Sequence, residues 1–168
     1  MTDPINIFEY ERLAQQSLPQ PAFDYYASGA HDEVTLRRNR AAYDDILLHY
    51  RVLADSAHPD LSVELLGERV DMPIALAPTA FHRMAHPDGE LATVVAAGDA
   101  GALMTLSTLS NTSLEEVAVN SSGPLWFQLY VYKDREATLE LIRRAKAAGY
   151  KAIVLTVDAP YLGTRESA

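Results

Sequence analysis

The chain has 168 residues, 48% of them hydrophobic, which is enough for a sizeable buried core and argues against disorder. Its net charge of −9 excludes the basic surface that a nucleic-acid or anionic-membrane partner requires, while leaving room for one arginine to hold a small anion. With no cysteine there are no disulfides, thiolate metal ligands or cysteine nucleophiles, a composition compatible with a reducing compartment.

The opening Met1-Thr-Asp-Pro-Ile-Asn6 has neither the basic start nor the apolar core of a signal peptide. No apolar run approaches the roughly 18 residues needed to cross a bilayer, so a cytoplasmic protein is expected. Asn6-Ile-Phe-Glu9 reads as an N-cap with a reciprocal glutamate, opening a helix through Gln16 that Pro19 stops. Pro21–Ser28 predicts a second helix carrying Phe23, Tyr25 and Tyr26, with Gly29 closing it in the left-handed conformation. Asp32–Tyr43 follows as a charged amphipathic helix. Ile46–Leu53 and Leu61–Leu66 are strand-like, with Gly67-Glu-Arg as the turn before Val70. Residues 1 to about 70 are thus expected to form a cap on residues 71–168.

From Pro73 onward one pattern repeats four times. Pro73–Ala77 runs into Pro78, Thr79 and Ala80; Ala102–Leu106 into Ser107; Leu125–Phe127 into Gln128 and Tyr130; Ala152–Leu155 into Thr156, Asp158, Pro160, Gly163 and Arg165. The last run has no polar alternation, which predicts a strand buried on both faces. Between the runs lie three helices: one opening at Pro87-Asp-Gly-Glu, one capped by Ser113-Leu-Glu-Glu116, and Arg135–Ala148 closed by Gly149. Strand ends recurring every 20 to 30 residues or so fit βα units with right-handed crossovers. The product is half of a closed β/α barrel or one wing of an open sheet, and either gathers ligands at the carboxyl ends of its strands.

Five blocks in order carry a resemblance: FDYYASGA (Phe23–Ala30), APTAF with MAHPDGE (Ala77–Phe81, Met84–Glu90), LST (Leu106–Thr108), FQLYVYKDR (Phe127–Arg135) and LTVDAP with GTRE (Leu155–Pro160, Gly163–Glu166). The chain resembles, nearly end to end, the first half of the FMN-dependent α-hydroxy-acid oxidases and dehydrogenases. The resemblance implies an α/β fold, a (β/α)8 TIM barrel of which this chain supplies the N-terminal cap and roughly the first four strands. FMN is the implied cofactor, with the backbone of Pro78, Thr79 and Ala80 against the flavin ring and Ser107, Gln128, Tyr130 and Thr156 also at the cofactor, Ser107, Gln128 and Thr156 on its pyrimidine edge. Tyr25, Tyr130 and Arg165 match substrate-holding positions, Arg165 through a bidentate fork on the carboxylate. Asp158 and Tyr130 are the implied catalytic residues of this half, Asp158 stabilising the imidazolium of the family's histidine base.

The resemblance further implies oxidation of a small L-2-hydroxy acid to the 2-oxo acid with O2 as acceptor, in a homotetramer of the complete protein. The family's histidine base, a lysine, a second arginine and the phosphate-binding loops belong to the second half of its barrel. None of the five histidines here stands in a matching context, so a second polypeptide is expected to complete the barrel, and the chain alone to be inactive. Leu109 stands where glycolate-type oxidases commonly carry tryptophan, which favours L-lactate or a larger acid over glycolate. A non-catalytic half-barrel scaffold, a dehydrogenase with another acceptor and a phosphate-substrate barrel are the alternatives. His82 and His86 stand four apart, but Pro87 and the lack of a third ligand favour a loop over a metal site.

Overall fold

A computed structural model describes residues 3–53, 58–158, 161 and 163–166. Ala159 and Pro160, from the last of the five blocks, lie outside the described residues. The chain divides into two compact units, residues 1–57 with 161–168, and residues 58–160.

In the first unit α1 (Ile7–Ser17) begins where the Asn6 side chain accepts from Glu9 N at 3.0 Å, and Glu9 Oε2 reaches back to Ile5 N at 3.0 Å. α2 (Gln20–Ala27) carries proline in its first turn, where no N–H is needed. It ends in extended backbone at Ser28, not at a left-handed Gly29. The left-handed residues come later, at His31 and Glu33, because Gly29 N is held by the Glu33 carboxylate at 3.0 Å. α3 (Val34–Ala41) is shorter than the sequence predicts and tightens into a 3-10 turn at Ala42–Asp45. The strand expected at Ile46–Leu53 does not form: no described strand offers it a ladder, and Leu47 and Leu48 are 87% and 90% exposed.

The second unit opens with a hairpin, β1 (Val63–Leu65) antiparallel to β2 (Glu68–Val70). Its two-residue turn is Leu66-Gly67, both at positive φ, the geometry whose twist matches the strands; the turn therefore begins one residue earlier than the sequence predicts. This hairpin lies in the same compact unit as the parallel strands that follow it. Val70 is buried, Asp71 N donates to Gly101 O at 2.9 Å, and Lys151 pairs with Glu68 at 3.2 Å.

Four parallel strands follow, β3 (Ala75–Leu76), β4 (Leu103–Leu106), β5 (Leu125–Leu129) and β6 (Ala152–Leu155), in that spatial order. α4 (Gly89–Asp99), α5 (Leu114–Val119) and α6 (Arg135–Ala147) return the chain between them. Asp134 caps α6 by accepting from Glu136 N and Ala137 N, and Ser113 caps α5 by accepting from Glu116 N. Met104, Leu106, Leu125, Phe127 and Leu129 pack on Val94, Ala97, Leu114, Val117 and Ala145 to form one core between sheet and helices. Only β4 and β5 are covered on both faces. Ile153 and Leu155 are 40% and 51% exposed, against the expectation for β6, because β6 is the edge strand of the sheet among the described residues.

Candidate functional site

Period-two alternation along β4, β5 and β6 sends the core residues to one face and Ser107, Gln128 and Thr156 to the other, at or just past the strands' carboxyl ends. In-register pairing of Leu106 with Phe127 and of Gln128 with Val154 brings these ends side by side. The Gln128 amide sits between its neighbours. Its Oε1 accepts from Thr108 N at 3.0 Å and lies 3.3 Å from the Ser107 hydroxyl, while Nε2 donates to Thr156 Oγ1 at 2.8 Å. A backbone N–H can only donate, so the Thr108 contact fixes which end of the amide is which.

Gln128 is 2% exposed and Ser107 5%, so this network is preorganised and desolvated. Ser107 spends its hydrogen on Gln128 and accepts from Leu109 N at 3.1 Å. Among the described residues, one Nε2 hydrogen of Gln128, the hydroxyl hydrogen of Thr156 and a lone pair of Ser107 stay uncommitted. That set suits a flat ligand edge bearing carbonyl oxygens and an N–H.

Sequence reasoning missed two contributors. The Thr108 hydroxyl donates to Gln128 O and accepts from Tyr130 N at 3.2 Å, which fixes Tyr130 at the mouth of β5. Glu90, read only as an acidic first-turn residue of α4, is fully buried and holds the loops that follow β3 and β4. Its signal was a carboxylate heading an otherwise apolar helix. Pro78 and Thr79 are exposed and Ala80 half-buried, on the loop after β3, and Phe81 N donates to Leu109 O at 3.0 Å. His82 Nδ1 pairs with Thr93 Oγ1 at 3.0 Å and His86 Nδ1 accepts from Asp88 N at 3.2 Å, so both serve the loop.

Tyr25 and Arg165 meet in the first unit. The Arg165 guanidinium lies 5.2 Å from the centroid of the Tyr25 ring and donates to Tyr25 O. The approach depends on Gly163, whose missing Cβ would come within 2.6 Å of Ala30 Cβ, and on the bond from His31 N to Thr164 O at 2.8 Å. Asp158 belongs to the second unit and is exposed just past β6.

Comparison with known proteins follows the same lines. Residues 14–168 match the family model described as FMN-dependent dehydrogenase. Glycolate oxidase 1 of Zea mays is 53% identical over 99% of this chain, and the L-lactate oxidase of Nostoc sp. is 54% identical over 99%. A solved structure of mandelate oxidase with (S)-4-hydroxymandelic acid superposes with a TM-score of 0.93 at 41% identity, covering 98% of this chain. The chain spans 45%, 47% and 46% of these three proteins, about half their length. The four-stranded parallel sheet is therefore the first half of a (β/α)8 barrel whose cofactor is FMN, and the chain belongs to the FMN-dependent dehydrogenase family.

Proposed function

We propose that this chain is the flavin-bearing half of an FMN-dependent oxidase that converts a small L-2-hydroxy acid to the 2-oxo acid while reducing O2 to H2O2. The remaining strands of the barrel complete the site, and the complete protein is a homotetramer. The observation that carries the reading is the Ser107–Gln128–Thr156 network at adjoining strand ends, in which Ser107 and Gln128 are buried and Thr156 half-buried. Its uncommitted donors and lone pair fit the pyrimidine edge of the flavin, which carries carbonyls and an N–H. The relatives' names as glycolate and L-lactate oxidases support the substrate class and the acceptor.

When bound, FMN supplies the two-electron acceptor for the substrate's α-hydrogen. The chain's own residues hold and orient. Gln128, Ser107 and Thr156 fix the cofactor's edge, and the backbone of Pro78, Thr79 and Ala80 backs its ring. Tyr25, Tyr130 and Arg165 take the substrate carboxylate, the guanidinium giving a fork that a lysine could not. Asp158 orients a histidine base supplied by the rest of the barrel and stabilises its protonated form as it takes the hydroxyl proton. The overall reaction balances: the hydroxy acid loses two electrons and two protons, and O2 gains both as H2O2.

Leu109 favours L-lactate, then glycolate or longer acids. Its main chain is pinned on both sides, N to Ser107 Oγ and O to Phe81 N, so its side chain presents a fixed wall smaller than an indole. In the completed protein, L-lactate added without oxygen bleaches the flavin bands, and peroxide forms in air. Bleaching without peroxide would identify a dehydrogenase using another acceptor. No flavin absorbance at all would leave only a scaffold. The kcat/KM ratio of lactate to glycolate falls about tenfold or more in Leu109→Trp, the scale on which apolar pocket changes discriminate. A strong glycolate preference in the unaltered protein overturns the substrate assignment.

A further inference from the structure

We propose that Glu90 is a positioning residue: its buried carboxylate clamps the loop after β3 onto the loop after β4, holding the backbone of Pro78–Ala80 and the Ser107–Leu109 turn at the separation the flavin needs. The inference rests on the reading of those two segments as walls of the cofactor site.

Glu90 is 0% exposed, and among the described residues no lysine, arginine or histidine forms an ion pair with it. A buried carboxylate without a cation is costly unless hydrogen bonds replace its water. Three donors do so. Oε1 accepts from Asn111 N at 2.9 Å and His82 N at 3.3 Å, and Oε2 accepts from Thr112 Oγ1 at 2.9 Å. One donor comes from the loop after β3 and two from the loop after β4, so a single side chain joins both.

Two direct bonds flank the clamp, Phe81 N to Leu109 O at 3.0 Å and Arg83 N to Asn111 Oδ1 at 3.1 Å. Phe81 sits at φ 57, a left-handed conformation that a bulky residue adopts only where its surroundings impose it. That residue directly follows Ala80 and directly precedes His82, whose N–H the carboxylate holds. The strain is thus stored between the segment that backs the ring and the group that fixes it. Burial pushes the Glu90 pKa up, but the bonds from Asn111 N, its own backbone N–H, Thr112 and His82 outweigh it, so the carboxyl stays ionised well into acid.

Glu90→Gln is the conservative variant. Its carbonyl oxygen can keep both backbone donors, and its amide nitrogen can donate to the Thr112 hydroxyl, which accepts as readily as it donates. Glu90→Ala leaves the two backbone N–H groups without partners. In the completed barrel the measurements are FMN affinity by fluorescence and amide exchange over residues 78–83 and 107–112. Glu90→Ala weakens FMN about tenfold or more and speeds exchange in both segments, while Glu90→Gln stays within about threefold on both readouts. A purely structural role would lower the melting temperature without this localised exchange and without rescue by glutamine. If Glu90→Ala does not fold, Thr112→Val decides: it removes the Oε2 partner and weakens FMN in the same direction, with exchange rising over 109–112. Unchanged FMN affinity and exchange in whichever variant folds overturns the clamp. Gln128→Leu separates this from the underlying reading. If it weakens FMN while the Glu90 and Thr112 variants do not, the clamp is wrong and the cradle stands; if it too leaves FMN untouched, the cradle itself is misplaced.

Discussion

Glu90 is the buried side chain that contributes to the acid limb of stability, beside the more exposed Asp60 and Glu115 carboxyls, which are also held below their usual range by hydrogen bonds from Ser62 and Arg144. An unfolded glutamate titrates near about 4.3, and the folded carboxyl lies lower because hydrogen bonds to its ionised form outweigh burial. A group whose folded pKa is depressed stabilises the fold above the unfolded value and loses that contribution as pH falls through the folded one. The chain should therefore lose stability below roughly pH 4.3, and Glu90→Gln should flatten that limb in denaturant titrations run at descending pH. An unchanged acid limb would mean the carboxylate is not ionised in the folded state. Residues of this kind were only partly legible. Ser107, Gln128 and Thr156 stood out because each ends an apolar run, and the structure brings their side chains into one hydrogen-bonded network. Glu90 did not stand out, since a helix dipole already explains an acidic residue in a first turn.

Among the elements, side-chain N-caps read most reliably, because one side chain and one N–H settle the matter locally, whereas the left-handed stop expected at Gly29 did not form. Asn6, Ser113 and the Gly149 stop at φ 91 were all visible in the sequence. What depends on a neighbour was not visible: Ile46–Leu53 has strand composition without a strand to pair with, and β6 has core composition on an edge. Gly101 shows how tightly such neighbours constrain the chain. It closes α4 into β4 at φ 65, and a Cβ there would sit 2.3 Å from Asp71 Oδ2. Gly101→Ala should destabilise by more than about 1 kcal/mol, since it meets both the left-handed conformation and the side chain of Asp71, whose backbone N–H is fixed on Gly101 O. Leu106→Ala, at the centre of the sheet–helix core, should cost about 2–5 kcal/mol. Equal denaturation midpoints for either variant and the parent would refute the packing described for it. The bidentate Arg144–Glu115 pair joins α6 to α5 at 2.7 and 2.8 Å, yet both side chains are more than a third exposed, so it contributes no more than about 1 kcal/mol.

For the whole molecule, the decisive feature is that the sheet has two open sides. β3 and β6 each pair on one side only, among the described residues, and large apolar side chains meet solvent there: Ile74, directly before β3, at 62% and Leu155 of β6 at 51%. Beside β3 an apolar groove lined by Ile74, Leu76, Ala92, Ala96 and Ala100 runs along α4. Unpaired strand edges flanked by apolar surface associate with whatever strand reaches them first. The chain studied alone should therefore show concentration-dependent association in sedimentation velocity, and co-expression with a polypeptide carrying the remaining barrel strands should replace that with one defined species. Ile74→Lys and Leu155→Lys sharpen the test, since a lysine at an edge repels a copy of the same edge and also obstructs the proper partner. Both substitutions should reduce self-association and, in the co-expressed protein, lower the fraction that binds FMN. If the lysine variants keep full flavin loading, the edges are not where the barrel is completed, and a chain that stays monomeric at high concentration would show that these faces are already satisfied.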